Sequence, residues 1–230
     1  MDKESLLNQL CEKYPELSGL KSSIDESAEM IISCLSNEGK LLICGNGGSS
    51  SAAEHMVAEM MKSFEICRPL DESFKKRLTE ISPERGKYLS EKLQHGLPAI
   101  SLSAHTSLTT AISNDTDADL IFAQQLIGYG CENDILIAFT TSGNSQNILD
   151  ACLTAKAMNI NIIGITGKSG GKIKNYCDIL INIPEDRTAL IQELQLPVQH
   201  IICRIVEDYF YGSSTSVSYT HLTLPTKRIV

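Results

Sequence analysis

The chain has 230 residues and a net charge of −8, with no basic stripe, which argues against nucleic acid as its main partner. No apolar run approaches the roughly 20 residues of a membrane span and the opening MDKESLLNQL is no signal peptide, so a cytoplasmic protein is expected. The eight cysteines stand at wide spacing without a C-x-x-C pair and read as free or buried thiols of a reducing compartment.

In chain order, residues 1–39 read as N-terminal helices. Leu6, Leu7 and Leu10 form one apolar stripe, and Ile24, Ile31, Ile32 and Leu35 form a second that Gly39 stops. Such stripes pack on the remaining domain or on a second subunit. The domain itself is expected over 40–212.

It opens with KLLICGNGGSSSAAEHMVAEMMKS. Lys40 to Cys44 is an apolar run of the kind found in strands buried on both faces. Asn46, Gly47 and Gly48 then let a ligand approach the backbone, and Ser49, Ser50 and Ser51 stand where a helix begins. A helix start offers unpaired N–H groups and partial positive charge, so the stretch reads as a phosphate cradle. His55 and Glu59 follow four residues apart, on one helical face, as an acid–base or metal pair. The plainer alternatives are a tight strand–helix connection and a solvated ion pair. The dinucleotide fingerprint fails at Ser50, and Gly167-Lys168-Ser169 lacks the Walker A glycine at Ile162.

Residues 64–96 are rich in charges of both signs and are broken by Pro69, Pro83 and Gly86, which suggests a solvated helical insertion. Apolar, β-branched runs then recur at Pro98 to Leu102, Asp134 to Phe139, Asn161 to Thr166 and Asp178 to Ile183. Helical patterns fall at 106–130, 145–158, 170–176 and 187–211. This alternation predicts an α/β fold with a five-stranded parallel sheet and helices on both faces. Asp134 to Phe139 runs into Thr140, Thr141, Ser142, Gly143, Asn144 and Ser145, a second hydroxyl-rich turn before a helix. Two such turns in one parallel sheet point to a phosphorylated small molecule. Residues 213–230 are Ser/Thr-rich without a period and read as an appended, non-native tail.

Taken together, CGNGGSSSAAEHMVAE, Asn114-Asp115, TTSGNSQNI, GITGKSGG and IQE with His200 resemble the sugar isomerase (SIS) domain family, and within it the phosphoheptose isomerases. The resemblance implies a flavodoxin-like sheet and a metal-assisted aldose–ketose isomerisation of sedoheptulose 7-phosphate through an enediol. It implies that Asn46, Gly47, Gly48, Ser49, Thr140, Thr141, Ser142 and Ser145 hold the phosphate, and that Asn114, Asp115 and Gln192 bind the sugar. His55, Glu59, Gln192 and His200 match the family's metal set, with one zinc per site expected. Glu59 and His200 match its acid–base residues, and a homotetramer is implied. The runner-up is a non-catalytic SIS protein that senses a sugar phosphate or binds the DnaA initiator; a lyase or etherase using Glu59 stands third.

Three departures from the pattern are visible. His105 stands where many of these isomerases carry Asp, Gln195 replaces a common His, and the 64–96 stretch is absent from compact members. Geometry adds a fourth point. On one straight helix Gln192 and His200 lie about 12 Å apart along the axis. A shared ion therefore requires a late start, a bend at Pro197, or ligands from different subunits.

Overall fold

A computed structural model describes residues 3–212. The tail assigned to 213–230 lies outside the described residues.

All five strands are parallel and lie in the order β2-β1-β3-β4-β5, with β1 at Leu41–Gly45, β2 at Ala99–Ser101, β3 at Ile135–Thr140, β4 at Asn161–Thr166 and β5 at Ile179–Asn182. Side chains alternate across the sheet, and each face is buried by its own helices. Leu41, Ile43, Ile135, Ile137, Phe139, Ile163 and Ile165 share one core with α1 (Lys3–Lys13), α2 (Lys21–Ser36), α3 (Gly48–Met61) and α9 (Thr188–Tyr211). Leu42, Cys44, Leu136, Ala138 and Ile162 face α7 (Ile121–Tyr129) and α8 (Gln146–Ala157) on the other side. This is the expected five-stranded α/β architecture. A buried carboxylate aligns its central strands: Asp134 accepts from the Lys40 amide (2.9 Å), the Lys40 ammonium (2.6 Å) and the Cys131 amide (2.8 Å).

Two of the expected helices are corrected. The pattern over 106–130 is not one helix but α6 (Thr106–Asp115), a 3-10 turn at Ala118–Leu120 and α7. Thr116 leaves helical backbone (φ −128°, ψ −91°), and the Asp117 carboxylate starts the next turn by accepting from the Asp119 amide. Residues 170–176 form only a 3-10 turn at Ile173–Asn175. Gly170 and Gly171 sit at φ +69° and +53°, which turns the chain so that the Ile173 amide meets the Gly143 carbonyl at 3.0 Å.

The charged stretch contains α4 (Glu72–Ile81) and α5 (Pro83–Lys92), packed on each other. Pro83 occupies the first turn of α5, where its missing N–H has no intrahelical partner to lose. The stretch is not uniformly solvated, because Arg68 and Leu70 at its base are buried.

Candidate active site

In the sheet order, the chain leaves β1 toward β2 on one side and resumes at β3 on the other. The switch point therefore lies between β1 and β3, where doubly wound sheets open a crevice beyond their strand ends. Both hydroxyl-rich turns leave the sheet there.

The first turn joins β1 to α3. Gly47 has φ +55°, a left-handed conformation that other residues adopt only under strain. The amides of Ser49 and Ser50 bond back to the carbonyls of Asn46 and Gly47, each at 3.0 Å, and no side chain caps α3. Gly48 packs against α9: a Cβ there would stand 2.5 Å from Gln192 Nε2, so the Gln192 carboxamide lies directly over this turn.

The second turn joins β3 to α8. Buried Thr140 accepts the Gly143 amide through Oγ1 (3.2 Å), and Ser142 Oγ accepts the Asn144 amide (3.2 Å). Ser145 occupies the N-cap of α8, but its hydroxyl makes no capping bond. Thr141 is half-buried beside Ser142. Two helix starts without side-chain caps thus stand at neighbouring strand ends, each with partial positive charge and free hydroxyls.

Asn147 binds the two turns together and went unnoticed in the sequence. Its amide donates to Asn46 Oδ1 and its oxygen accepts from Asn46 Nδ2, both at 2.9 Å. The only sequence hint is the second Asn of TSGNSQN.

Farther along α3, His55, Glu59 and His200 meet. His55 Nε2 is 3.1 Å from Glu59 Oε1 and 3.4 Å from His200 Nε2, with the imidazoles edge-to-face and 5.0 Å between centroids. The Glu59 side chain is 13% exposed and that of His55 40%, so the carboxylate sits inside and the imidazole at the mouth. Glu59 Oε2 is buried without a hydrogen-bond partner, its nearest cation being Lys62 at 3.7 Å. Burial, and then the neighbouring His55, hold the His200 imidazole below the usual histidine range. Phe64 packs on the other side of His200, centroids 5.3 Å apart.

The remaining expected residues stand elsewhere. Gln192 is not gathered with this trio. α9 runs unbroken through Pro197, so the Gln192 carboxamide stays over Gly48, about two turns or 10 Å along the axis from His55. Gln195, the second departure on α9, is buried with neither of its amide atoms hydrogen-bonded. Asn114 donates to Asp115 at the exposed end of α6, and that helix packs on α7 and the Ala118–Leu120 turn. His105 caps α6: its Nδ1 accepts the Leu108 amide at 3.2 Å, the task an Asp side chain performs at an N-cap.

Whether the trio suits a metal follows from its donors. Among the described residues no group of three or more His, Cys, Asp or Glu side chains is arranged so that it could hold a metal ion. The two edges at 3.1 and 3.4 Å nevertheless match the separation of ligands in a tetrahedral zinc centre, roughly 3.3 Å for bonds of about 2.0–2.2 Å. Two imidazoles, a carboxylate and a buried oxygen that lacks a partner are donors of the types that zinc takes.

Two hydroxyl-rich turns at the switch point of a 2-1-3-4-5 sheet, with His55 and Glu59 of α3 meeting His200 of α9 beyond them, make the kind of site a sugar-phosphate isomerase needs. The SIS domain model matches residues 7–90 and 78–167, and the chain belongs to the SIS domain family. Within it, the chain is 37% identical over 209 residues to the phosphoheptose isomerase of Laribacter hongkongensis, covering 90% of this chain and 93% of the relative. The structure is similar to phosphoheptose isomerase GmhA from Neisseria gonorrhoeae, with TM-score 0.67, 33% identity and coverage of 88% and 91%. It is also similar to a phosphoheptose isomerase from Francisella tularensis, with TM-score 0.68, 31% identity and coverage of 89% and 96%.

Proposed function

We propose that this protein is a phosphoheptose-type aldose–ketose isomerase, converting sedoheptulose 7-phosphate to a heptose 7-phosphate through an enediol. The observation that carries the reading is a spacing. The phosphate turn at Gly48 and the carboxylate–imidazole group at His55 are seven residues apart on α3, about 10 Å along the axis. An extended heptose 7-phosphate bridges that span between its phosphate and its carbonyl end; a triose phosphate does not.

The phosphate is held by Asn46, Gly47, Gly48 and Ser49 from the first turn and by Thr140, Thr141, Ser142 and Ser145 from the second. Gln192, lying over Gly48, contacts the sugar near its phosphate. At the other end Glu59 takes the proton from C1 or C2 and returns it to the neighbouring carbon. His200, held in the neutral form at pH 7, moves the hydroxyl proton between O1 and O2. His55, Glu59 and His200 are the residues that would hold a zinc ion, one per site. When bound, the ion supplies Lewis-acid polarisation of the carbonyl oxygen.

Assembly as a homo-oligomer, a tetramer in the resemblance, is part of the reading. Asn114 and Asp115, exposed on α6, then reach a sugar through a neighbouring subunit. The eight cysteines are all free thiols and support a reducing, cytoplasmic setting. No helix among the described residues is long and apolar enough to cross a membrane.

The test is turnover of a panel of C5 to C7 ketose and aldose phosphates by the purified protein. Conversion of sedoheptulose 7-phosphate well above the shorter sugars is the expected result. Preference for a pentose phosphate overturns the assignment.

A further inference from the structure

Among the described residues Arg68 is the bulkiest side chain wholly withdrawn from solvent, at 0% exposure, and its partner Glu207 is likewise at 0%. Neither belongs to the phosphate turns or to the His55–Glu59–His200 group. Glu207 Oε1 accepts from Arg68 Nε at 2.8 Å and stands 2.7 Å from its Nη2. A buried pair of this kind is weak evidence for stability, because well-packed apolar residues serve as well. What distinguishes it is the set of atoms it grips.

The guanidinium donates to two carbonyls at the end of α3, those of Met60 (Nη1, 2.6 Å) and Glu59 (Nη2, 3.1 Å). Glu207 accepts the amides of Phe64 (2.8 Å), Glu65 (2.8 Å) and Ile66 (3.0 Å). Phe64 is the residue whose ring flanks His200, and Glu65 accepts from Arg204, one turn beyond His200 on α9. Tyr211 lies under the guanidinium, 5.2 Å from ring centroid to the central carbon. One ion pair therefore holds the backbone of the carboxylate residue, the loop that packs on the imidazole, and the helix that carries it.

We propose that Arg68 and Glu207 are positioning residues of the isomerase site, keeping Glu59 and His200 in register without touching substrate. The proposal rests on the assignment of Glu59 and His200 as the proton carriers. A planar fork is needed, since a lysine at 68 keeps the charge but cannot span Glu207 and both carbonyls. Misplacement of reacting groups by about 1 Å lowers turnover by roughly 10²-fold.

The experiment compares wild type, Arg68→Lys, Glu207→Gln and Glu59→Gln. Four quantities are read: melting, affinity for inorganic phosphate, kcat and KM on sedoheptulose 7-phosphate, and the imidazole C–H NMR signals of His55 and His200 at fixed pH. The expected result is a folded Arg68→Lys with kcat down roughly 10²-fold. Its KM and phosphate affinity stay unchanged, and the His200 signals shift as the Phe64 ring moves. A purely structural role predicts instead that phosphate binding and kcat fall together. Arg68→Lys that folds with wild-type kcat and unshifted imidazole signals overturns the proposal while leaving the isomerase assignment intact. If Arg68→Lys does not fold, Glu207→Gln decides by the same criteria, because its amide oxygen still accepts from Arg68. A wild type as inactive as Glu59→Gln removes the isomerase assignment. Unshifted imidazole signals then still overturn the positioning role, and shifted ones support it.

Discussion

Asn46 and Asn147 exchange two hydrogen bonds of 2.9 Å, one in each direction, across the gap between β1 and β3. Their amides bind the start of α3 to the start of α8, so the two phosphate turns move as one body. Asn147→Ala leaves the Asn46 carboxamide without its partner. Loss of both bonds, at about 0.5 kcal/mol each for exposed groups, amounts to about 1 kcal/mol, or roughly fivefold in affinity. A rise of that size in the Kd for inorganic phosphate, measured by calorimetry, is expected, with the melting temperature nearly unchanged. Wild-type affinity would mean that the turns are held rigid by their strands alone.

Glu59→Gln preserves volume and hydrogen-bonding reach but cannot accept a proton. Turnover of sedoheptulose 7-phosphate is expected to fall by roughly 10²–10⁴-fold, the usual share of general acid–base catalysis. Binding of the same sugar should change far less, because the phosphate is gripped about 10 Å away along α3. Metal content has to be measured beside it, since Glu59 is also a proposed ligand. Retained turnover rules Glu59 out as the base.

Zinc content gives a separate check on the trio. His55 Nε2 faces both Glu59 and His200, so His55→Ala removes the donor common to both edges. Elemental analysis is expected to find zinc in the wild type and little in His55→Ala. Gln192→Ala should keep its metal, because Gln192 lies over Gly48 and not among the donors. Equal loss in both variants would place Gln192 in the metal set through another subunit.

His200 makes the stability of the metal-free protein depend on pH. Its folded pKa lies below that of the unfolded chain, about 6.5, so the unfolded state binds more protons in that range. Stability accordingly rises with pH through the window just below 6.5 and is lost as pH falls toward the folded pKa. Thermal melts across the acid range should show a flatter dependence for His200→Gln than for wild type. The same slope in both would assign the effect to other groups.

His105 is expected to behave as a cap and not as a catalyst. His105→Asp, which restores a carboxylate acceptor for the Leu108 amide, should melt like the wild type. His105→Ala should lose about 1 kcal/mol of stability. Both should turn over substrate at nearly the wild-type rate, measured with saturating sugar phosphate. A large loss of kcat in His105→Asp would return this histidine to the chemistry.

The sequence alone determined what is local. Strands such as Ile135–Thr140 announce themselves as apolar, β-branched runs, and glycine–serine turns before helices mark candidate phosphate cradles through backbone chemistry that neighbours in the chain supply. The pairing of His55 with Glu59 follows from helical period, and the α/β class from the alternation of elements. What depends on side chains far apart in sequence was decided by packing. Arg68 reads as one more charge in a charged stretch, yet five donors and a carboxylate 139 residues away draw it into the core. Asn147 becomes a latch only because β1 and β3 are neighbours. Gln192 and His200 share a helix, but the fold sets one against Gly48 and the other against His55, since α3 and α9 run parallel and match turn for turn. Periodicity fixes which face a residue occupies; only the packed sheet and helices fix what that face meets.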